Sequence, residues 1–143
     1  MRRVWNVRDL GAVAVVMFLL LGGCEREWHF TITGFDSASN PKFCVSTKRD
    51  CSGKGVKLGG FGVVEVPTVG SNEERRTVWF IRPISNEPLH QFVYGVTPVG
   101  WKQDIPPQPL RVDHIYEVWS YQFRLKEEGG KLTYEVAPIG ELK

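Results

Sequence analysis

From Trp28 onward the chain consists of short runs rich in β-branched and aromatic residues, separated by residues that favour turns. None of these runs carries the sustained 3.6-residue apolar period of an amphipathic helix. The first run alternates, so that Trp28, Phe30 and Ile32 share one face of a strand. Because parallel sheets need long crossover connections that this pattern lacks, the strands should pair antiparallel. We expect a single all-β domain over residues 28–143, built as a β-sandwich or a small barrel.

The runs predicted to form strands are residues 28–33, 43–45, 61–66, 77–81, 91–97, 115–125 and 131–136. The long run at 115–125 has room to bend near Ser120. The acidic and glycine residues at 127–130 are typical of a hairpin turn before the last strand. Trp28, Trp79 and Trp119 fall within these runs, so we expect them to be buried or half-buried.

Two segments are predicted to be loops. Residues 69–76 are polar and charged, and the run 73–76 (Glu-Glu-Arg-Arg) is either a partner-binding charge cluster or a solvated loop. Its balanced charge favours the solvated loop. Residues 100–110 contain three prolines, which cannot donate a hydrogen bond to a sheet, so we expect this segment to cross the surface in an extended form.

The start of this proline-rich segment is a candidate binding loop, formed by Trp101, Lys102 and Asp104. An exposed tryptophan beside prolines can contact a partner protein, a glycan or a lipid surface. In the alternative interpretation, the indole folds back over the edge of the core and packs on Pro106 or Pro107.

The N-terminus has the organisation of a secretory signal. Arg2, Arg3 and Arg8 precede a nearly continuous apolar run over residues 10–21. A bilayer-spanning helix needs about 20 apolar residues, so this run is too short to span but has the length of a signal-peptide core. The alternatives are a short membrane anchor or a buried helix, but the rest of the sequence offers no surface to cover such a helix. Residues 1–23 are therefore predicted to be a removable signal peptide.

The end of that segment, Leu21-Gly22-Gly23-Cys24, resembles the lipobox of bacterial lipoproteins. The resemblance implies that Cys24 becomes the lipidated first residue and that residues 24–27 form a short tether. Two or three acyl chains hold a protein firmly on a membrane, whereas one chain binds reversibly. Glu25 stands where such lipoproteins carry Asp when they stay in the inner membrane, so the resemblance implies the outer membrane, facing the periplasm. Residues 92–100 also resemble small uncharacterised bacterial lipoproteins.

Cys44 and Cys51 remain once Cys24 is assigned to lipid. An even pair in an exported, oxidising setting predicts a disulfide. A zinc site wants four ligands at short spacings, and the three histidines are scattered singly; a redox pair normally has the C-x-x-C spacing. We therefore expect a structural disulfide, with no metal and no cofactor.

The stretch from Leu110 to Val118 resembles the tyrosine corner of fibronectin type III domains, with Tyr116 as the corner residue. Residues 77–81 resemble the strand that carries the core tryptophan of that family, and residues 92–94 the strand after it. The resemblance covers residues 77–136 and implies a fibronectin-like or immunoglobulin-like sandwich. It also implies that the Tyr116 hydroxyl bonds back to the chain just before it.

Charge and motifs exclude several functions. Residues 1–23 hold three of the 18 basic and one of the 16 acidic residues, so the processed chain has a net charge of zero. Nucleic-acid binders normally need a basic surface, so we expect no nucleic-acid partner. Asp113 and His114 are adjacent, so on a strand they point to opposite faces and form no catalytic dyad. With no nucleophile motif, the chain is not expected to be an enzyme.

These observations favour a membrane-anchored envelope lipoprotein whose small β domain is a binding or structural component for another envelope protein. The alternative is a periplasmic inhibitor or a ligand- or glycan-binding module, in which residues 100–110 would supply the protruding loop. The sequence carries no residue set that distinguishes the two.

Overall fold

The computed structural model describes residues 27–142, and the predictions for the signal peptide and for Cys24 lie outside these residues. The described chain forms nine strands: β1 (His29–Phe35), β2 (Pro41–Ser46), β3 (Phe61–Glu65), β4 (Arg76–Pro83), β5 (Gln91–Val93), β6 (Trp101–Ile105), β7 (Ile115–Val118), β8 (Tyr121–Glu128) and β9 (Lys131–Pro138). No helix within this range is long and apolar enough to cross a membrane.

The strands form two antiparallel sheets, as predicted. The small sheet has the order β1-β2-β5, and the large sheet has the order β6-β4-β3-β7-β8-β9. Every pairing between neighbouring strands is antiparallel. The sheets share one hydrophobic core, so the domain is a β-sandwich.

The core between the sheets is rich in aromatic rings. Phe43 of the small sheet lies 5.5 Å from Phe123 of the large sheet, centroid to centroid, and Phe30 lies 6.1 Å from Phe61. Trp79 is fully buried beside them. Aromatic rings bury more apolar area per residue than aliphatic side chains do, and their edge-to-face contacts add to that gain. The alternating aromatic positions of the predicted strands are therefore what joins the two sheets.

The predicted loop at residues 100–110 is wrong over its first half, where the chain forms β6. This strand lies at the edge of the large sheet and pairs with β4. The prolines begin at Pro106, one residue after β6 ends, so they do not interrupt its ladder. Trp101 is 5% exposed and belongs to the core, so its indole is not available to an external partner. The alternative interpretation, in which Trp101 covers the core, matches this burial.

The long run at residues 115–125 forms two strands rather than one. Val118 pairs with Tyr121, and Trp119 and Ser120 make a two-residue turn between β7 and β8. Trp119 has a φ of 53° and is 56% exposed, so the expected burial of this residue is wrong. The alternation changes across the turn: positions 116 and 118 are buried before it, and positions 123 and 125 after it.

Other local predictions are confirmed. Gly129 and Gly130, with φ values of 59° and 77°, form the hairpin turn between β8 and β9. Cys44 and Cys51 form a disulfide with Cα atoms 6.1 Å apart. Asp113, in the corner before β7, was not singled out for its backbone and adopts a φ of 64°. Aspartate is among the few non-glycine residues that tolerate this left-handed conformation.

Candidate functional site

A cleft of about 630 Å³ opens where β3 ends and β4 begins. We call it the charged cleft, and it is lined by Glu65, Glu73, Glu74, Arg75, Arg76, Gln108, Pro109 and Arg111. Its charged residues come from the end of β3, from the predicted loop at 69–76 and from the segment before β7. Gln108 and Pro109 come from the second half of the proline-rich segment.

The proline-rich wall of the charged cleft is held by the core. The Gln108 backbone N–H donates to the Val78 carbonyl at 2.9 Å, and the Tyr94 hydroxyl donates to the Gln108 carbonyl at 2.6 Å. These bonds fix an extended segment that has few internal hydrogen bonds of its own. The wall of the charged cleft is therefore attached to the core, although it is not part of a strand.

The floor of the charged cleft is a buried carboxylate. Phe61, Val63 and Glu65 alternate on the inward face of β3, so Glu65 points inward and is only 5% exposed. Its carboxylate accepts two hydrogen bonds from the Arg111 guanidinium, one of them from Nε at 3.3 Å. The Arg76 guanidinium lies 3.5 Å from the same carboxylate. A buried charge is tolerated only when it is paired and hydrogen-bonded, and Glu65 meets that condition.

Tyr116 connects this carboxylate to the corner before β7. Its hydroxyl accepts a 2.7 Å bond from the Arg111 backbone N–H and donates a 3.0 Å bond to Glu65. The first of these is the corner contact that the tyrosine-corner resemblance implies. Burial raises the pKa of Tyr116 to about 12, so the hydroxyl keeps its proton and remains a donor at neutral pH.

The pKa of Glu65 excludes this carboxyl as a general acid at neutral pH. The hydrogen bond from Arg111, followed by that from Tyr116, lowers the pKa of Glu65 below its ordinary value, despite the opposing effect of burial. A general acid needs a pKa near the working pH, and this carboxyl is ionised well below neutrality. The arrangement fixes the positions of the Arg76 and Arg111 guanidinium groups.

The rim of the charged cleft carries both signs of charge. Arg75 pairs with Glu117 on β7, and its side chain is 54% exposed. Arg111 also lies 3.7 Å from Glu73. The Arg76 side chain is 58% exposed even though one edge faces Glu65. The predicted solvated loop is thus exposed, but its arginines are ordered by carboxylates of the sheet.

The other predicted site residues lie elsewhere. Lys102 and Asp104 are exposed on β6, where Asp104 pairs with Arg82 at 2.6 Å, and neither residue lines the charged cleft. The Cys51 sulfur lies 3.9 Å from His90 Nε2 and accepts a 3.4 Å bond from the Gln91 amide. Both cysteine sulfurs are joined to each other, so they do not offer thiolates to a metal.

Sequence reasoning missed Glu65 and Arg111 as site residues. The signal for Glu65 was present, because the alternation that buries Phe61 and Val63 places a charged residue at the next inward position. Arg111 had no such signal, since it lies 46 residues further along the chain and meets Glu65 only in the folded sheet.

Comparison of the chain with protein-family models, with curated proteins and with solved structures finds no match. The sequence, the fold and the charged cleft are therefore the observations from which a function can be argued.

Proposed function

We propose that this chain is a bacterial envelope lipoprotein, anchored through acyl chains on Cys24, whose β-sandwich binds or braces another envelope protein. The observation that carries the proposal is the position of the lipobox-like Leu21-Gly22-Gly23-Cys24 directly before the folded domain. β1 begins at His29, five residues after that cysteine. A signal segment joined so closely to a sandwich is an arrangement that presents a small domain at a membrane surface.

Two properties of the domain support this proposal. The Cys44–Cys51 disulfide is suited to an oxidising compartment outside the cytoplasm. The core is apolar and rich in aromatic side chains that contact one another. The charged cleft holds the Glu65 carboxylate, whose lowered pKa keeps it ionised at neutral pH. The packed core and the ionised Glu65 suit a stable binding scaffold better than acid–base catalysis.

The charged cleft is the surface we assign to the partner. Arg75, Arg76 and Arg111 are oriented by carboxylates before any partner arrives, so little side-chain freedom is lost on binding. Arginine is enriched in protein interfaces, where it forms hydrogen bonds and packs through its flat face. The exposed acids of the rim offer complementary positions for basic groups, so the occupant we assign is a polar segment of a protein with both signs of charge.

The anchoring is tested by the mass of the N-terminal peptide of protein purified from bacterial envelopes. We expect a chain that begins at Cys24 and carries two or three acyl groups. A Cys24→Ala variant should lose these groups and leave the membrane fraction. A wild-type chain that retains residues 1–23, or that begins at Cys24 without acyl groups, would refute the anchoring.

The partner is tested by crosslinking in intact envelopes, followed by co-purification. Arg76→Ala, in the charged cleft, should lose a protein that the wild type enriches. Lys42→Ala removes an exposed charge on β2, away from the charged cleft, and should retain that protein. Equal enrichment by both variants would separate the partner from the charged cleft, and enrichment of a glycan in place of a protein would favour a ligand-binding module.

A further inference from the structure

Trp119 is a large apolar side chain held outward by the backbone. It is 56% exposed at the two-residue turn between β7 and β8, and its φ of 53° is a conformation in which tryptophan is uncommon. Glycine is the usual residue at such a turn position. Its indole contacts Trp28 edge to face, with the ring centroids 6.0 Å apart. The exposed indole therefore lies beside the point where the N-terminal segment joins the domain.

Ile139 extends this apolar surface. Its backbone N–H donates to the Ser120 carbonyl at 3.0 Å, which places the end of β9 against the same turn. The Ile139 side chain is 47% exposed. We call the surface formed by Trp28, Trp119 and Ile139, together with the segment 47–57, the anchor-proximal face.

The segment 47–57 gives this face a positive charge. It leaves β2 at Ser46, which pairs with His29, and it leads to Gly59, which lines a groove with Trp119. Its exposed charged residues are four basic residues and one acid: Lys48, Arg49, Lys54, Lys57 and Asp50. Arg49 lines the same surface cavity as Glu27 and Trp28. Arg49 thus lies beside Trp28, the ring that Trp119 contacts.

The sequence limits how far this face can be from a lipidated Cys24. Only three residues separate Cys24 from Trp28, so the two residues are four positions apart along the chain. Four fully extended steps span roughly 14 Å, so the Trp28 backbone stays within that distance of the cysteine. A bilayer that holds the acyl chains is then the nearest large surface to the anchor-proximal face.

We propose that the anchor-proximal face rests on an anionic phospholipid surface, with the Trp119 indole at the level of the headgroups. The proposal builds on the anchoring proposed above. Tryptophan is enriched at membrane–water interfaces because its ring is apolar and its N–H can hydrogen-bond to the polar region. Clustered lysine and arginine residues are attracted to anionic headgroups over about a Debye length. The acyl chains supply attachment, and the face supplies orientation.

The test uses full-length protein purified from envelopes and reconstituted into vesicles of phosphatidylethanolamine and phosphatidylglycerol that carry brominated acyl chains. Bromine quenches tryptophan emission only at short range. Trp79 and Trp101 are buried in the sandwich and serve as an internal reference. We expect brominated lipid to lower the emission of the wild type, and we expect Trp119→Asn to remove most of that loss. Asparagine tolerates the left-handed conformation, so this variant keeps the turn.

Val69→Ser is the matched control. Val69 is fully exposed, and it follows the end of β3 that is opposite to the Trp119 turn. It should leave the quenching unchanged. Quenching that persists in Trp119→Asn, or that is equal when phosphatidylcholine replaces phosphatidylglycerol, would overturn the proposal.

Failure of this proposal is separable from failure of the anchoring. The mass of the N-terminal peptide reports acylation in the same sample. An acylated protein that floats with the vesicles but shows no Trp119-dependent quenching overturns the docking and leaves the anchoring intact. A protein without acyl groups overturns the anchoring itself, and docking then has no tether on which to rest.

Discussion

The indole of Trp101 lies inside the sandwich, so its truncation should be costly. Removing a buried tryptophan side chain costs about 3–5 kcal/mol, through lost transfer energy and the cavity that remains. We expect a loss of this size for Trp101→Ala in urea unfolding. Val99→Ala, two residues away at a side chain that is 98% exposed, should change the free energy of unfolding by less than about 0.5 kcal/mol. Similar small changes in both variants would place Trp101 outside the core.

Glu65 should link stability to acid pH. Its pKa in the folded state is lowered, chiefly by Arg111, so the unfolded chain binds more protons once the pH approaches the ordinary carboxyl value. The stabilisation is therefore complete above the unfolded pKa of about 4.5 and is lost as the pH falls through the folded pKa. Glu65→Gln should be less stable at neutral pH and should lose less stability on acidification.

The measurement for Glu65 is urea unfolding at a series of pH values, for wild type and variant. The pKa values of Asp36, Asp50 and Glu135 are also lowered, so the wild type and the variant share a background loss of stability in acid. Glu127→Gln removes a charge at the exposed end of β8 and is the control. A variant whose pH profile runs parallel to that of the wild type would contradict the role assigned to the Glu65–Arg111 pair.

Among the elements, the disulfide secures the connection that leaves β2. It joins Cys44 on β2 to Cys51, seven residues later. Closing a loop of this length stabilises a fold by about 2–3 kcal/mol in the chain-entropy model. Comparing oxidised with dithiothreitol-reduced protein tests this without any substitution, and we expect the reduced form to unfold at lower urea concentration. Equal midpoints would mean that the bond constrains the unfolded chain very little.

The strands that could be predicted are those whose side chains alternate against the core. In β3 and β4 the apolar pattern of the sequence predicts the strand, and the side chains that form it, such as Phe61 and Val63, are buried. β6 gave no such signal, because only Trp101 at its start is buried and the following four residues are exposed. An edge strand with one buried residue is held by its backbone pairing with β4, and that pairing leaves no pattern in the sequence.

The charged cleft was less predictable than the strands. Its floor required a long-range contact between β3 and the corner before β7, and local patterning does not report which charged residues meet. The corner itself was predictable in part, because Tyr116 and its backbone contact follow from a local spacing. The second contact of the Tyr116 hydroxyl, with Glu65, does not follow from any local spacing.

Across the whole molecule, the charged cleft and the Trp119 turn of the anchor-proximal face lie at opposite ends of β3. β3 runs from Phe61, near the Trp119 turn, to Glu65 at the charged cleft. The five residues of β3 span roughly 17 Å at about 3.4 Å per residue, which sets the scale of that separation. If the anchor-proximal face rests on a bilayer, the charged cleft points away from it. The two proposals are then compatible, because the membrane and the protein partner do not compete for one surface.

The short tether should be what maintains this orientation. Inserting 20 glycine and serine residues after Arg26 adds a flexible chain with an end-to-end distance of about 25 Å. The local concentration of the anchor-proximal face at the bilayer then falls, so quenching of Trp119 by brominated lipid should weaken. The unfolding midpoint should not change, because the insertion lies outside the sandwich, and the partner captured through the charged cleft should still be enriched. Unchanged quenching would show that the tryptophan and the basic segment hold the domain on the membrane without help from the tether.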